Sequence, residues 1–416
     1  MDHYIVAPKS GFSSGVLSPG TWLPALPVEY RFQDMKTLTL FIGFLAILSQ
    51  EVSAQTENTY LERARTVLGD TPLIDGHNDL PWAIRGNREA PRDVEAYDIT
   101  QTAPGHTDLD RLRRGMVGAQ FWSVYIPAGV GDSGFARVQL EQIDIARQVI
   151  AKYSGHFGMA GSASDIETVF GSGRIASMLG VEGGHAIENS LGVLRAYYDL
   201  GVRYMTLTHG GTIDWADSAT DEPRHDGLTS FGEEVVREMN RMGMLVDLSH
   251  TSPATMSDVL NVAEAPVIFS HSSARALVDH PRNVPDSILR RLPENGGVVM
   301  VTFVPSFVST EETATLADVA DHIDHIRAVA GVDHVGIGGD FDGITSTPVG
   351  LEDVSTYPAL FAELARRGWS DDQLRKLAGE NILRAMRETE RTARKLKRER
   401  GPSTKTIEEL DGPISD

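Results

Sequence analysis

From residue 70 onward, short apolar runs rich in β-branched residues alternate with longer stretches whose apolar positions recur at helical spacing. The β-like runs fall at 73–77, 117–125, 174–181, 203–208, 244–249, 266–270, 297–304 and 334–338. Between them lie amphipathic patterns such as ARVQLEQIDIARQVIAKY (136–153), FGEEVVREMNRMG (231–243) and LADVADHIDHIRAVAG (316–331). Strand followed by helix, eight times over, predicts an α/β fold of the (β/α)8 TIM-barrel type with parallel strands. No short internal repeat is present, which argues against a solenoid. No Pro/Gly linker within 60–390 divides the barrel into two domains.

The first 54 residues break this pattern. Met35-Lys36-Thr37 precedes the apolar run LTLFIGFLAIL (38–48), and SQEVSA follows, ending at Ala54. A charged start, an apolar stretch of this length and a Val-Ser-Ala ending predict an export signal cleaved after Ala54. The run is short for a membrane span. Residues 1–34 are rich in Gly, Pro and Ser and fit no such signal, so translation is expected to start at Met35. The expected organisation is an export region at 1–54, a catalytic barrel at 55–390 and a tail at 391–416. That tail begins with the basic RTARKLKRERG (391–401) and turns acidic, and it is expected to be a solvated helix end and a flexible terminus. The protein is expected to be exported, either periplasmic or secreted, and its C-terminal end carries no lipid-anchor signal.

Composition narrows the chemistry. The 416 residues carry a formal charge of −20, which argues against a nucleic-acid-binding surface. With 41% hydrophobic residues there is ample material for a core. There are no cysteines, so disulfides, thiolate metal sites and Cys nucleophiles are excluded together. Any metal ligand must be His, Asp or Glu.

Those residues gather where barrel chemistry sits, just past the C-terminal ends of the strands. The run LIDGHNDL (73–80) ends in His77 and Asp79, which a strand would point to one face. Taken alone, that pair could be a helix-capping Asp or a self-satisfied His–Asp pair in a loop. The third run ends in Glu182, the fourth in His209, the fifth in His250, the sixth in His271, and the eighth in Asp340 with Asp342 two residues on. Metal-type residues after six different strands are hard to assign to chance. Three imidazoles, an aspartate and a glutamate exceed the three protein ligands that a single catalytic zinc takes. They suit two metals about 3.5–4 Å apart, sharing a carboxylate bridge and a hydroxide.

The motifs LIDGHNDLPW, GVEGGHAIE, GVRYMTLTH with WADS after it, LVDLSHTS, FSHSSAR, RNVPD and GIGGDFDG occur in unbroken order across roughly 60–390. Together they resemble the membrane (renal-type) dipeptidases, zinc peptidases with an amidohydrolase-like barrel. The resemblance implies a binuclear zinc dipeptidase that cuts dipeptides with free amino and carboxyl ends by attack of a metal-bridging hydroxide. It implies two Zn2+ per chain bridged by Glu182, one held with His77 and Asp79 and the other with His250 and His271. It further assigns His209 to the substrate carbonyl, Arg282 to the substrate carboxylate, and Asp340 to proton transfer and the substrate amine. Two departures stand out. Gly210-Gly211-Thr212-Ile213-Asp214 replaces a Cys-Asn-Thr-Pro-like stretch, and Phe307 falls where animal members carry a Tyr.

Two other functions share these residues: a different amidohydrolase reaction, such as N-acyl amino acid or β-lactam hydrolysis, or a metal-holding protein without turnover. Barrels of this type often pair, so a homodimer is expected on general grounds, although no stretch of sequence marks an interface. His322 and His325 share a helix and are expected to be structural, and His185 is expected in a loop. No Walker, dinucleotide-binding or nucleophile-elbow pattern is present.

Overall fold

All eight β-like runs become strands. The computed structural model describes residues 58–413, so the expected export signal and its cleavage point lie outside the described residues. The strands are β1 (Leu73–Asn78), β2 (Val117–Ser123), β3 (Phe157–Met159), β4 (Ile175–Glu182), β5 (Val202–Thr206), β6 (Leu245–Asp247), β7 (Val267–Phe269), β8 (Val298–Val301) and β9 (Val335–Ile337). Each neighbour pairing is parallel, running β2-β1-β9-β8-β7-β6-β5-β4, and β2 pairs with β4 to close the ring. This is the (β/α)8 barrel that the alternation predicts, with one strand added. β3 pairs Phe157 with Ile175 and Met159 with Ser177, next to the stretch of β4 beyond Leu179 that β5 takes. Three residues with Gly158 at their centre are too few to leave a period in the sequence.

The barrel interior is filled by Ile74, Phe121, Met178, Tyr204, Ile268 and Met300, all without solvent exposure. Tyr204 is the largest of them, and its ring lies where a side chain at position 180 would stand. A Cβ on Gly180 would meet the ring carbons of Tyr204 at 2.0–2.5 Å. Gly180→Ala should therefore destabilise the fold by about 1–3 kcal/mol, as overpacking of a filled core does, and a thermal melt would read the change.

The outward faces of the strands pack on the helices, among them α1 (Phe135–Lys152), α2 (Ser230–Met242) and α3 (Leu316–Ala330). Their starts follow from local chemistry. Thr229 accepts from the Gly232 N–H, and Thr315 with Asp318 forms a reciprocal capping box at α3. The basic stretch expected to lead into a loose terminus is instead built in. It continues α4 (Asn381–Glu399), which buries Thr389, Ala393 and Leu396 on the side away from its charges. Beyond it, α5 (Ile407–Asp411) docks on α2, where the Asp411 carboxylate accepts from the Phe231 N–H. The density of Lys and Arg on the exposed face had masked the apolar stripe. Among the described residues, no helix is long and apolar enough to cross a membrane.

Candidate metal centre

Strand alternation does to β1 what the sequence suggests. Asp75 and His77 share a face with Asp79 just beyond the strand, and all three are buried. Asp75 sits deepest. It accepts from the N–H groups of His77 and Gly339 and from the Tyr357 hydroxyl, stitching β1 to the segment after β9. Burial pushes its carboxyl up to about 6, against those hydrogen bonds.

At the mouth, His77 Nε2 faces Asp79 Oδ2 at 3.2 Å and Glu182 Oε2 at 3.5 Å. The other Glu182 oxygen, Oε1, faces His250 Nε2 at 3.0 Å and His271 Nε2 at 3.3 Å. One carboxylate thus divides its two oxygens between two groups of imidazoles. The Nε2 atoms of His250 and His271 are only 3.0 Å apart. Two ring nitrogens so close, converging on one oxygen, present more lone pairs than hydrogens to fill them. Asp79 Oδ1 is buried with no hydrogen-bond partner among the described residues. Burial first, then the charges of Arg282 and His209, keeps His250 well below the ordinary imidazole range, and burial does the same for His271. Ligating imidazoles must be neutral. Burial opposes a charged Glu182, but His77, His250 and His271 outweigh it and hold the carboxyl well below its usual range. His77 differs: burial opposes its charge, but Tyr204, Glu182 and Asp79 raise it well above the ordinary imidazole range, so it must release a proton to ligate. Imidazoles and carboxylates with no thiolate fit zinc.

His209 and Asp340 stand almost as close. Three ligand groups have donor atoms within 4.8 Å of one another: His77 with Glu182 and His271, Glu182 with His209 and His250, and His77 with Asp79 and Asp340. These overlap at His77 and Glu182 and admit His209 and Asp340, which the resemblance reserves for substrate. His209 Nε2 is 3.9 Å from Glu182 Oε1. Its ring lies 4.3 Å from that of His250 and 4.8 Å from that of Tyr125. Burial, reinforced by the Asp79 and Glu182 carboxylates, pushes Asp340 up to about 8. His250, Asp340 and Asp342 have φ of 67°, 62° and 65°, a left-handed backbone that L-residues adopt at a cost. Strain of this kind, held just past β6 and β9, aims side chains that a relaxed turn would not.

Asp79, Glu182, His209, His250, His271 and Asp340 line a cavity of about 330 Å³ together with Trp82, Tyr125, Arg282, Val304, Phe307 and Ile344. That volume lies at the lower end of small-molecule sites. Arg282 is buried in its wall, and its Nη1 has no hydrogen-bond partner among the described residues. Burial lowers its pKa to about 10, with Asp340, Glu182 and Asp247 working the other way, so it remains a cation at neutral pH. Its guanidinium lies 5.4 Å from the centre of the Phe307 ring, which stacks on His280 at 4.2 Å. Phe307 is thus a wall of the cavity and carries no hydroxyl to offer a substrate.

The remaining sequence candidates fall elsewhere. Asp342 turns away to the 105–107 loop, accepting from the His106 N–H while its own N–H donates to His106 Nδ1. His322 is buried between the Ala274 N–H and the Val308 carbonyl, and His325 pairs with Asp286 at 2.8 Å. His185 bonds the Ile126 carbonyl. The divergent stretch 210–214 is tied outside the cavity lining by Asn189, which donates to Asp214, and by Asp221, which accepts from Thr212. Trp82 and Tyr125 were missed as cavity walls. Trp82 could have been found one helical turn beyond Asp79, whereas nothing local marks Tyr125.

Residues 61–400 match the sequence profile described as membrane dipeptidase (peptidase family M19). A dipeptidase of Clonostachys rogersoniana, verJ, is 47% identical over 348 residues, spanning 81% of this chain and 89% of its own length. A metallopeptidase of Rhodobacter sphaeroides, solved with a phosphinate mimic of the dipeptide L-Ala-D-Ala, is 26% identical. It superposes with a TM-score of 0.70, covering 77% of this chain and 99% of its own. An amidohydrolase from Pseudomonas aeruginosa, also 26% identical, gives 0.67 over 78% of this chain and 98% of its own.

Proposed function

This chain belongs to the membrane dipeptidase family, and from that premise we propose that it hydrolyses dipeptides with free amino and carboxyl ends, using two zinc ions. His77 and Asp79 would hold one ion, His250 and His271 the other, with Glu182 shared. The observation that carries this reading is the divided Glu182 carboxylate, with Oε2 toward His77 and Oε1 toward His250 and His271. A bridging ligand needs that arrangement, and a lone structural zinc does not.

When bound, a zinc pair makes water a competent nucleophile at neutral pH and polarises the scissile carbonyl. The chain's own residues supply the rest. Arg282, a buried cation with a free N–H in the cavity wall, grips the C-terminal carboxylate and fixes the scissile bond in register. His209, at the rim of the same cavity, donates to the carbonyl oxygen as negative charge develops there. Asp340 takes the proton of the attacking water and passes it to the departing amine nitrogen, with its carboxyl tuned upward by burial for that exchange. The verJ relative and the Rhodobacter sphaeroides complex support a dipeptide substrate.

Protein purified without chelator should contain about two zinc ions per chain by elemental analysis, because Glu182 lets five residues give each ion three ligands. One ion or fewer at full activity would end the binuclear reading.

A further inference from the structure

Two buried hydrogen-bond chains run behind the imidazoles, and they differ in kind. On the β1 side, the Tyr204 hydroxyl lies 2.9 Å from His77 Nδ1 and 3.2 Å from the Gly76 carbonyl. A phenol has one hydrogen, and a carbonyl can only accept. With that hydrogen on Gly76, the hydroxyl oxygen accepts from His77 Nδ1–H, which leaves Nε2, the atom facing Asp79 and Glu182, as the nitrogen a metal would take. The ring that carries this hydroxyl has little freedom to move. It is fully buried in the barrel interior, lies against the bare face of Gly180 and packs on Phe121 at 5.2 Å.

On the far side, the Ser270 hydroxyl donates to Asp247 Oδ2 at 2.6 Å and lies 2.8 Å from His271 Nδ1. Its oxygen therefore accepts from His271 Nδ1–H, and here too Nε2 is left free. Asp247 is fixed in turn by the Thr206 hydroxyl and by the N–H groups of Ser249 and Ser270. No such partner backs His250, whose Nδ1 is buried without one among the described residues.

We infer that Tyr204 positions His77 for one zinc, and that Asp247 acting through Ser270 positions His271 for the other. The Tyr204 hydroxyl also meets Ser270, and the His77 and His271 rings lie 3.9 Å apart, so each residue acts mainly, not solely, on its own ion. The inference rests on the binuclear reading above. Neither residue touches substrate; both are positioning residues, each setting the tautomer and ring angle of a ligand.

The test is zinc titration of chelator-stripped protein in competition with a chromophoric chelator, alongside melts of the metal-free proteins. Tyr204→Phe keeps the ring and removes only the hydroxyl. It should weaken one of the two zinc sites about 10- to 100-fold, the usual effect of losing such a partner, and the other far less. Ser270→Ala should weaken the other site by a similar factor, and the double variant should weaken both. A purely structural role would lower the melting temperature with both zinc affinities intact, and that result would overturn the inference. So would two wild-type zinc affinities in both single variants. If the wild-type protein itself holds fewer than two ions, the binuclear reading falls and takes this inference with it. If it holds two while both variants match it, the inference falls alone.

Discussion

Arg282→Ala should lower kcat/KM for a dipeptide by roughly 30- to 4000-fold, while hydrolysis of the same dipeptide carrying a C-terminal amide should change far less. The guanidinium is buried, with an Nη1 that finds no partner among the described residues. A substrate carboxylate would complete it in a charge-assisted contact. Leaving one half of a buried charge pair alone costs about 2–5 kcal/mol, and each 1.4 kcal/mol is tenfold. The same arithmetic predicts chain-length selectivity. A tripeptide brings an uncharged amide to Arg282, or else displaces its free amine from the carboxylate end of the cavity, so the wild-type enzyme should discriminate against it on the same scale. Measuring kcat/KM for a dipeptide, its amide and the matching tripeptide decides the matter. Equal values for all three would remove the dipeptidase assignment in favour of a broader amidohydrolase.

The second large effect is expected at Glu182. Glu182→Gln removes the charge that three imidazoles surround and the oxygen pair that links the two sites. Removing one member of a buried ionic cluster costs about 3–5 kcal/mol, or roughly 100- to 4000-fold, and here both zinc affinities and the turnover rate should fall together. The metal-free variant should melt lower than the metal-free wild type, because the imidazoles that hold the carboxyl well below its usual range thereby favour the folded state, but it should still fold on the barrel core. A near-normal rate for Glu182→Gln at limiting zinc would refute the bridging role.

How much of this could be read from residues alone depended on how local each signal was. The eight strands announce themselves because each is an apolar run bounded by polar residues. The candidate ligands are legible because each follows such a run at the end where parallel barrels do their chemistry. The partners behind the ligands were not legible. Tyr204 stands 127 positions from His77, and in sequence it is one more aromatic residue in a strand. Asp247 ends β6 and Ser270 directly follows β7, so their meeting depends on the register of β6 against β7. The left-handed backbone at His250 and Asp340 was hidden as well, since neither is a glycine. At the C-terminal end the error ran the other way: a dense run of charges concealed an apolar stripe that packs.

The closure of the ring bears on how the chain must fold. β1 carries His77 and leads into Asp79, yet one of its edges is covered only by β9, with Asp75 paired to Ile337 and accepting from the N–H of Gly339, 264 residues away. Such separation makes contact order high and folding slow. Until β9 arrives, the edge of β1 away from β2 is open to pairing with another chain. Asp340, three residues past β9, joins the ligand cluster in that same last step. The kinetic hazard of this fold is therefore concentrated in the strand that begins its chemistry, and a chain stalled before residue 335 would be both inactive and prone to aggregate.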